Sequence, residues 1–417
     1  MLKVVSKEEL ISKEEVTLTL DDIARQGAQK MLAEALQLEV SEYIEKHQKV
    51  VDEQGRRMVV RNGKARTRKV TVGSGTFEVD APRVDDRRTD KKFISSILPP
   101  YLRRSPNVEA LLPLLYLRGL STNDFKPALT EILGEDAGGL SSSSISKLKA
   151  SWQKTFNSWN KRLIHTKYVY IWADGVNVKI RLGEDKKICL LVIIGVTESG
   201  GKELIAVDPG YRESTDSWSV LLRSLKQRGM SAPLLAVGDG ALGFWNAIRN
   251  VYPETKEQRC WVHKIANVLD KLPTRIQPKA KELLHEMMYA ETKDEALKLR
   301  KNFESHFELK QERAVICIKK DWDQLMSFYD FPAANWTSIR TTNPIESSFA
   351  TVKLRTKSTK GAGNAITACT MAFKLLQQCE MKWRKIRGHK EIKNLISGLE
   401  YKDGIMIPTP DQRALGR

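Results

Sequence analysis

The chain has 417 residues, with 69 Lys plus Arg against 51 Asp plus Glu, a formal net charge of +18. Hydrophobic residues make up 41% and aromatics 7%, enough for two or three packed domains and too much for wholesale disorder. No run approaches the ~18 apolar residues of a membrane span, residues 1–15 lack the apolar stretch of a secretory signal, and the five scattered cysteines include no CxxC pair. A cytoplasmic, reducing setting is expected, with no membrane and no disulfide framework.

Residues 1–55 carry 7 basic and 12 acidic side chains. Within them, 18–49 read as a helix, because Leu32, Leu36, Val40 and Ile44 repeat at i+4. Residues 56–104 invert the sign, with 14 basic and 5 acidic side chains. Arg56, Arg57, Arg61, Lys64, Arg66, Arg68 and Lys69 form a basic, Gly-punctuated stretch. Alternation over 70–79 around Gly73-Ser74-Gly75 predicts a small hairpin, and the Pro-marked residues 82–92 read as a linker. Helices are expected at 106–117, at 121–133 with Ser121 as N-cap, and at 141–159, with a Gly-rich turn at 134–140. This pattern fits a helix-turn-helix with Lys147 and Lys149 on its last helix, and it fits an ordinary helical hairpin equally well.

The texture then changes. Strands are expected at 167–180, 188–196, 203–207 and 233–237, with helices at 214–228 and 241–251. Three strands in sequence, then helix, strand and helix, predict an α/β fold: a mixed sheet with helices on its faces. Residues 264–329 read as helix throughout, and Thr292 with Glu295 makes a capping box. A short helix follows Asn343, then a basic loop at 358–364 and a long helix at 365–383. Residues 341–417 are again basic, 14 against 6. Two basic blocks are the footprint of a polyanion binder, although solvated lysine faces look the same in composition.

Three carboxylates stand out. Asp174 follows the alternation of Tyr170 and Trp172, Asp239 ends a short strand, and each is followed by glycine. Two neighbouring strands would present them together, although Asp-Gly also marks turns. Glu346 sits near a helix start, where Asn343 as N-cap would make it a capping-box glutamate. On that helix Lys353 and Lys357 fall within about 20° of Glu346, with the small Ala350 between. A carboxylate backed by two cations suits a metal ion beside a phosphate backbone; Arg355, Lys360 and Arg340 add charge nearby. Residues 238–243 also match G-x-G-x-x-G, but Asp239 would set a carboxylate against a pyrophosphate. Cys260 and His263 have the spacing of half a zinc site without a second pair.

Together these segments resemble the mutator-type transposases of bacterial insertion sequences. The likeness rests on Tyr170-Ile171-Trp172-Ala173-Asp174-Gly175, Val237-Gly238-Asp239-Gly240, Arg259-Cys260-Trp261-Val262-His263-Lys264 and Arg340-Thr341-Thr342-Asn343-Pro344-Ile345-Glu346-Ser347. It implies a ribonuclease-H-like core, interrupted by a helical insertion in the 107 residues between Asp239 and Glu346. It implies a DDE triad of Asp174, Asp239 and Glu346 that acts as both catalytic and metal site, Cys260 and His263 as a motif of unassigned role, and Lys353 as the basic residue after the Glu. The expected organisation is an N-terminal helix, basic stretch and hairpin at 1–95 and a helix-turn-helix-like DNA-binding domain at 96–162. The first part of the core follows at 165–263, the helical insertion at 264–336, and the end of the core with C-terminal helices at 337–417.

Oxygen donors of this kind suit two Mg²⁺ ions, with Mn²⁺ as a substitute, and two such ions can promote strand cleavage and strand transfer. The partners implied are double-stranded DNA, as element ends and as target, and further copies of the chain in a dimer or higher assembly at the nucleoid. Phosphate contacts would fall to Arg56, Arg57, Arg61, Arg66, Arg68, Lys69, Lys147, Lys149, Arg340, Lys353, Arg355, Lys357 and Lys360. Two other readings stay open: a DNA-binding regulator without catalysis, and a nucleotide-dependent enzyme built on residues 238–243.

Overall fold

β-Branched and aromatic side chains run almost unbroken through residues 168–178, and this segment becomes the centre of the larger sheet. The structure, a computed structural model, describes residues 19–89, 91–120, 125–133, 142–182, 187–210 and 212–408. The chain divides into two compact units, residues 1–148 and 149–417.

In the first unit, α1 (Leu20–Lys46) starts at a capping box in which Thr19 and Asp22 exchange hydrogen bonds. β1 (Val59–Lys64) pairs antiparallel with β4 (Pro82–Asp86), and β2 (Arg68–Val72) with β3 (Gly75–Val79). The 70–79 hairpin is as expected. The supposed linker at 82–92 instead begins as β4: its proline takes the first position, where no ladder donor is needed, and Asp86 is held by Arg88 and by the Tyr43 hydroxyl (2.8 Å). Leu36, Val70, Phe77, Val79 and Leu98 make the small core. α2 (Pro106–Arg118) and α3 (Phe125–Leu133) follow. The expected Ser121 cap and the 134–140 turn lie outside the described residues, and α4 spans Ser142–Asn160.

The second unit carries a five-stranded mixed sheet in the order β7-β6-β5-β8-β9. Its strands are β5 (Tyr168–Lys179), β6 (Lys187–Thr197), β7 (Lys202–Gly210), β8 (Leu235–Gly238) and β9 (Lys256–Arg259). β5, β6 and β7 form an antiparallel meander; β8 pairs parallel to β5 and β9 parallel to β8. β9 was not legible as a strand. Its residues, Lys-Glu-Gln-Arg, lack the apolar alternation of an ordinary strand, yet Gln258 and Arg259 are buried. α5 (Thr215–Gln227) and α6 (Leu242–Val251) cover one face, packing Trp218, Leu222, Phe244 and Ile248 on Ile171, Ala173, Ile193 and Ala236.

Helices α7 (Trp261–Leu269), α8 (Gln277–Tyr289), α9 (Lys293–Lys320, kinked at Gln311) and α10 (Trp322–Met326) then run without a strand among the described residues. Thr292 caps α9, but Glu295 reaches back to the Glu291 amide rather than to Thr292 itself. A short α11 (Trp336–Ile339) leads to α12 (Asn343–Ser358) and α13 (Ala365–Glu380), with α14 (Ile392–Ile396) and a two-residue hairpin of β10 and β11 (Tyr401–Lys402, Ile405–Met406) near the end. Among the described residues no helix is long and apolar enough to cross a membrane.

Candidate active site

β5 alternates. Ile171 and Ala173 point into the core under α5 and α6, whereas Tyr170 and Trp172 donate to Asn335 Oδ1 (2.9 Å) and the Ser338 carbonyl (3.2 Å) on the opposite face. Asp174 continues that second series toward α12. Gly175 is mid-strand, so the first Asp-Gly pair is not a turn. The second pair is one: Gly240 has φ +94 between β8 and α6, and the Ala241 amide donates to Asp239 Oδ1 (2.9 Å). Register places the two carboxylates side by side. Ala173 lies opposite Gly238 in the parallel pair, Asp174 is the next residue of β5, and Asp239 directly follows the end of β8.

Glu346 comes from the other face. The helix α12 caps on Thr342 and not on Asn343, so Glu346 is one position deeper than a capping-box residue. The Thr342 hydroxyl makes no cap bond. It lies within reach of Glu346 Oε1, Cys260 Sγ (3.1 Å) and His263 Nδ1 (3.3 Å), and so belongs to the site rather than to the helix end. One turn along, Phe349 and Ala350 leave room for the exposed Lys353. Asp174, Gly175, Glu213, Asp239, His263, Glu346 and Lys353 line a single open cleft of ≈ 360 Å³.

The electrostatics are those of crowded negative charge. Burial, then the neighbouring Asp239, pushes the Asp174 acid up to about 7 against the hydrogen bond from the Gly175 amide (2.7 Å). Glu213 is raised by burial and by Asp239. His263 is raised to about 9, first by its hydrogen bond with Cys260 and then by the Cys260, Glu346 and Asp239 charges, so it is cationic at neutral pH and sits 3.6 Å from Glu346. Burial opposes ionisation of Cys260, but hydrogen bonds from His263 and Thr342 outweigh it and hold the thiol below its ordinary value. Ligand atoms of Asp174, Glu213 and Asp239 lie within 4.8 Å of one another, and those of Cys260, His263 and Glu346 form a second such group. The first group is all oxygen, the donor set that suits Mg²⁺ or Mn²⁺. Cys260 is fully buried at the start of α7.

A model of the family described as "Transposase, Mutator family" matches residues 2–385. The chain belongs to the Mutator family of transposases. It is 49% identical over 301 residues to the transposase for insertion sequence element IS6120 of Mycolicibacterium smegmatis, covering 72% of this chain and 93% of that one. It is 44% identical over 279 residues to the transposase for IST2 of Acidithiobacillus ferrooxidans, with 67% and 94% covered. The transposase for IS905 of Lactococcus lactis is 28% identical over 340 residues, with 81% and 84% covered.

In this Mutator-family transposase the basic residues divide by burial. Arg56, Arg57, Arg61, Arg66, Lys69, Lys147, Lys353, Lys357 and Lys360 are exposed. Lys149 is half-buried, and so is Arg68, which donates to the Leu98 (3.0 Å) and Pro99 (3.1 Å) carbonyls. Two expected phosphate contacts sit inside the fold instead. Arg340 is 8% exposed, donates to the Met288 carbonyl and lies over the Tyr289 ring, and Arg355 is 4% exposed on the buried side of α12. Arg340 is the C-cap of the four-residue α11, and Arg355 follows Val352 by three residues and so shares the buried side of α12 with Ile345, Phe349 and Val352. The dinucleotide alternative meets a filled turn. The Arg259 guanidinium lies against Gly240, Gly243 packs on the Ser214 backbone, and Glu257 is paired with Arg249 (2.7 Å). Glu213 was missed because it belongs to no spaced motif; its one signal is its place directly before Ser214, the N-cap of α5.

Proposed function

We propose that the protein binds the ends of its insertion sequence and cuts and joins DNA at Asp174, Asp239 and Glu346. The observation that carries this reading is the meeting of three carboxylates from β5, β8 and α12, remote in sequence, in one open cleft that also holds the exposed Lys353. The order β7-β6-β5-β8-β9, an antiparallel meander continued by two parallel strands, supports a ribonuclease-H-like core. The strand-free stretch between β9 and α11 supports a helical insertion within it. α2, α3 and α4 are the candidate helix-turn-helix for the element ends, and a dimer or higher assembly would hold two ends and the target duplex.

Asp174, Asp239 and Glu346 would hold Mg²⁺, or Mn²⁺ in its place. Two bound ions supply activation of the attacking oxygen and charge stabilisation at the leaving one. In cleavage a water oxygen forms the new bond to phosphorus and the P–O3′ bond breaks, leaving a 3′-hydroxyl. In strand transfer that hydroxyl would attack a target phosphorus, the target P–O3′ bond would break, and the cut target strand would keep a 3′-hydroxyl. The chain's part is positioning. His263, cationic at neutral pH, and the Thr342 hydroxyl orient the Glu346 carboxylate, and Lys353 offers a cation to a phosphate in the cleft.

Asp174→Asn, Asp239→Asn and Glu346→Gln should each abolish cleavage and joining of a duplex carrying the element ends, with end binding retained. A non-catalytic regulator would tolerate all three. A variant with near wild-type joining removes that residue from the site.

A further inference from the structure

Asp174 and Asp239 have a third carboxylate beside them, and it is not Glu346. Ligand atoms of Glu213 lie within 4.8 Å of those of both aspartates. The backbone keeps Glu213 there by two close approaches. An added Cβ at Gly175 would strike Glu213 Oε1, and it would come within 2.8 Å of Cys189 Sγ. An added Cβ at Gly243 would strike the Glu213 carbonyl and come within 2.8 Å of the Ser214 carbonyl carbon. Gly175 has no positive φ, so a turn does not explain it; space for the glutamate does.

Helix capping does not explain Glu213 either. An acid before a helix commonly serves the free amides or the dipole. Here Ser214 caps α5, accepting from the Ser217 amide at 3.2 Å, and Asp216 occupies the first turn. The Glu213 side chain turns to the sheet, beside Asp174. Three carboxylates so close repel one another, which costs stability unless a cation is shared between them.

We propose that Glu213 is a ligand of the catalytic metal site. It joins Asp174 and Asp239 from the α5 face of the sheet, while Glu346 closes the site from the α12 face. Glu213, Asp174 and Asp239 hold one divalent ion in an all-oxygen set, and Glu346, drawn toward His263 and Thr342, faces the same cleft. The inference rests on the metal-dependent reading above and assigns a fourth carboxylate to that site.

Two measurements on the full-length protein test it. In the first, free Mn²⁺ is followed by electron paramagnetic resonance during titration of the wild type, Glu213→Gln and Asp174→Asn. Glu213→Gln should weaken Mn²⁺ binding tenfold or more, as Asp174→Asn does, with DNA-end binding unchanged. Wild-type affinity in Glu213→Gln together with lost affinity in Asp174→Asn overturns the role of Glu213 and leaves the metal site standing. Wild-type affinity in both overturns the metal site itself. The second needs no variant. Fe²⁺ with ascorbate and peroxide cuts the backbone beside bound iron, and cuts at 213 as well as at 174 and 239 are expected. Cuts at 174 and 239 without 213 overturn the assignment even if Glu213→Gln does not fold.

Discussion

Asp174 bears the largest electrostatic cost in the cleft. Its ordinary value is 3.8 and its folded value is about 7, so the folded chain keeps a proton that the unfolded chain releases. Stability from this group is therefore lost as pH rises from about 4 to about 7, and the full cost applies above that. At about 1.4 kcal/mol per pH unit the cost is at most ~4 kcal/mol. Asp174→Asn removes the charge while keeping the shape. Without metal, the variant should melt at a higher temperature than the wild type at pH 8 and at nearly the same temperature at pH 4. Thermal unfolding in chelator at the two pH values checks this, and an equal difference at both removes the electrostatic account. The residues brought to this cleft were legible where a motif carried them, as Asp174, Asp239, Glu346 and Lys353 were. Glu213 was not, because it joins the site only through the close approach of the start of α5 to the β5 backbone, and the hydroxyl of Thr342, though inside a motif, shows its partners only in the fold.

Elements were legible in proportion to how far their own residues explain them. The apolar runs of β5 and β6 announce strands. β9 does not, because its stability comes from elsewhere in the chain: Gln258 donates to the Leu325 carbonyl (3.2 Å) and accepts from the Phe328 amide (2.7 Å). The same region holds an ion cluster in which two buried cations share the half-buried Asp321. Lys264 on α7 is 2% exposed and 2.7 Å from Asp321 at the end of α9, and Arg259 Nε lies 3.6 Å from the same carboxylate. Arg259 also packs against Gly240, next to Asp239, so the cluster joins the helical layer to the turn that presents Asp239 to the cleft. Asp321→Ala leaves Lys264 buried without its carboxylate and should destabilise this unit by about 3 kcal/mol. Asp321→Asn should recover part of the loss by accepting one hydrogen bond. Urea unfolding of the three proteins measures the difference, and a change under about 0.5 kcal/mol would show that the cluster relaxes into solvent.

At the scale of the whole molecule the positive charge is lopsided. Residues 1–148 carry 24 basic and 22 acidic side chains, and residues 149–417 carry 45 and 29. Net charge alone would give DNA binding to the second unit. Screening argues otherwise, since charges more than about 8 Å apart hardly act together at physiological salt, so a local block counts for more than a unit's total. The first unit has adjacent exposed arginines in Arg56 and Arg57, with Arg66 beyond the far end of β1, whereas much of its acid lies on α1 and before it. The second unit has a block in Lys353, Lys357 and Lys360, running from the cleft along α12. Both blocks should therefore touch phosphate in a complex with the element end. Each contact contributes about 0.9 to the slope of log affinity against log salt. Replacing Arg56 and Arg57 by Ala should lower the slope by about 2, and replacing the three lysines by about 2 to 3. The lysine set should also slow joining, because Lys353 lines the cleft. End binding by the full-length protein from 50 to 300 mM salt decides it, and a set that changes the slope by less than one is a solvated face and no part of the interface.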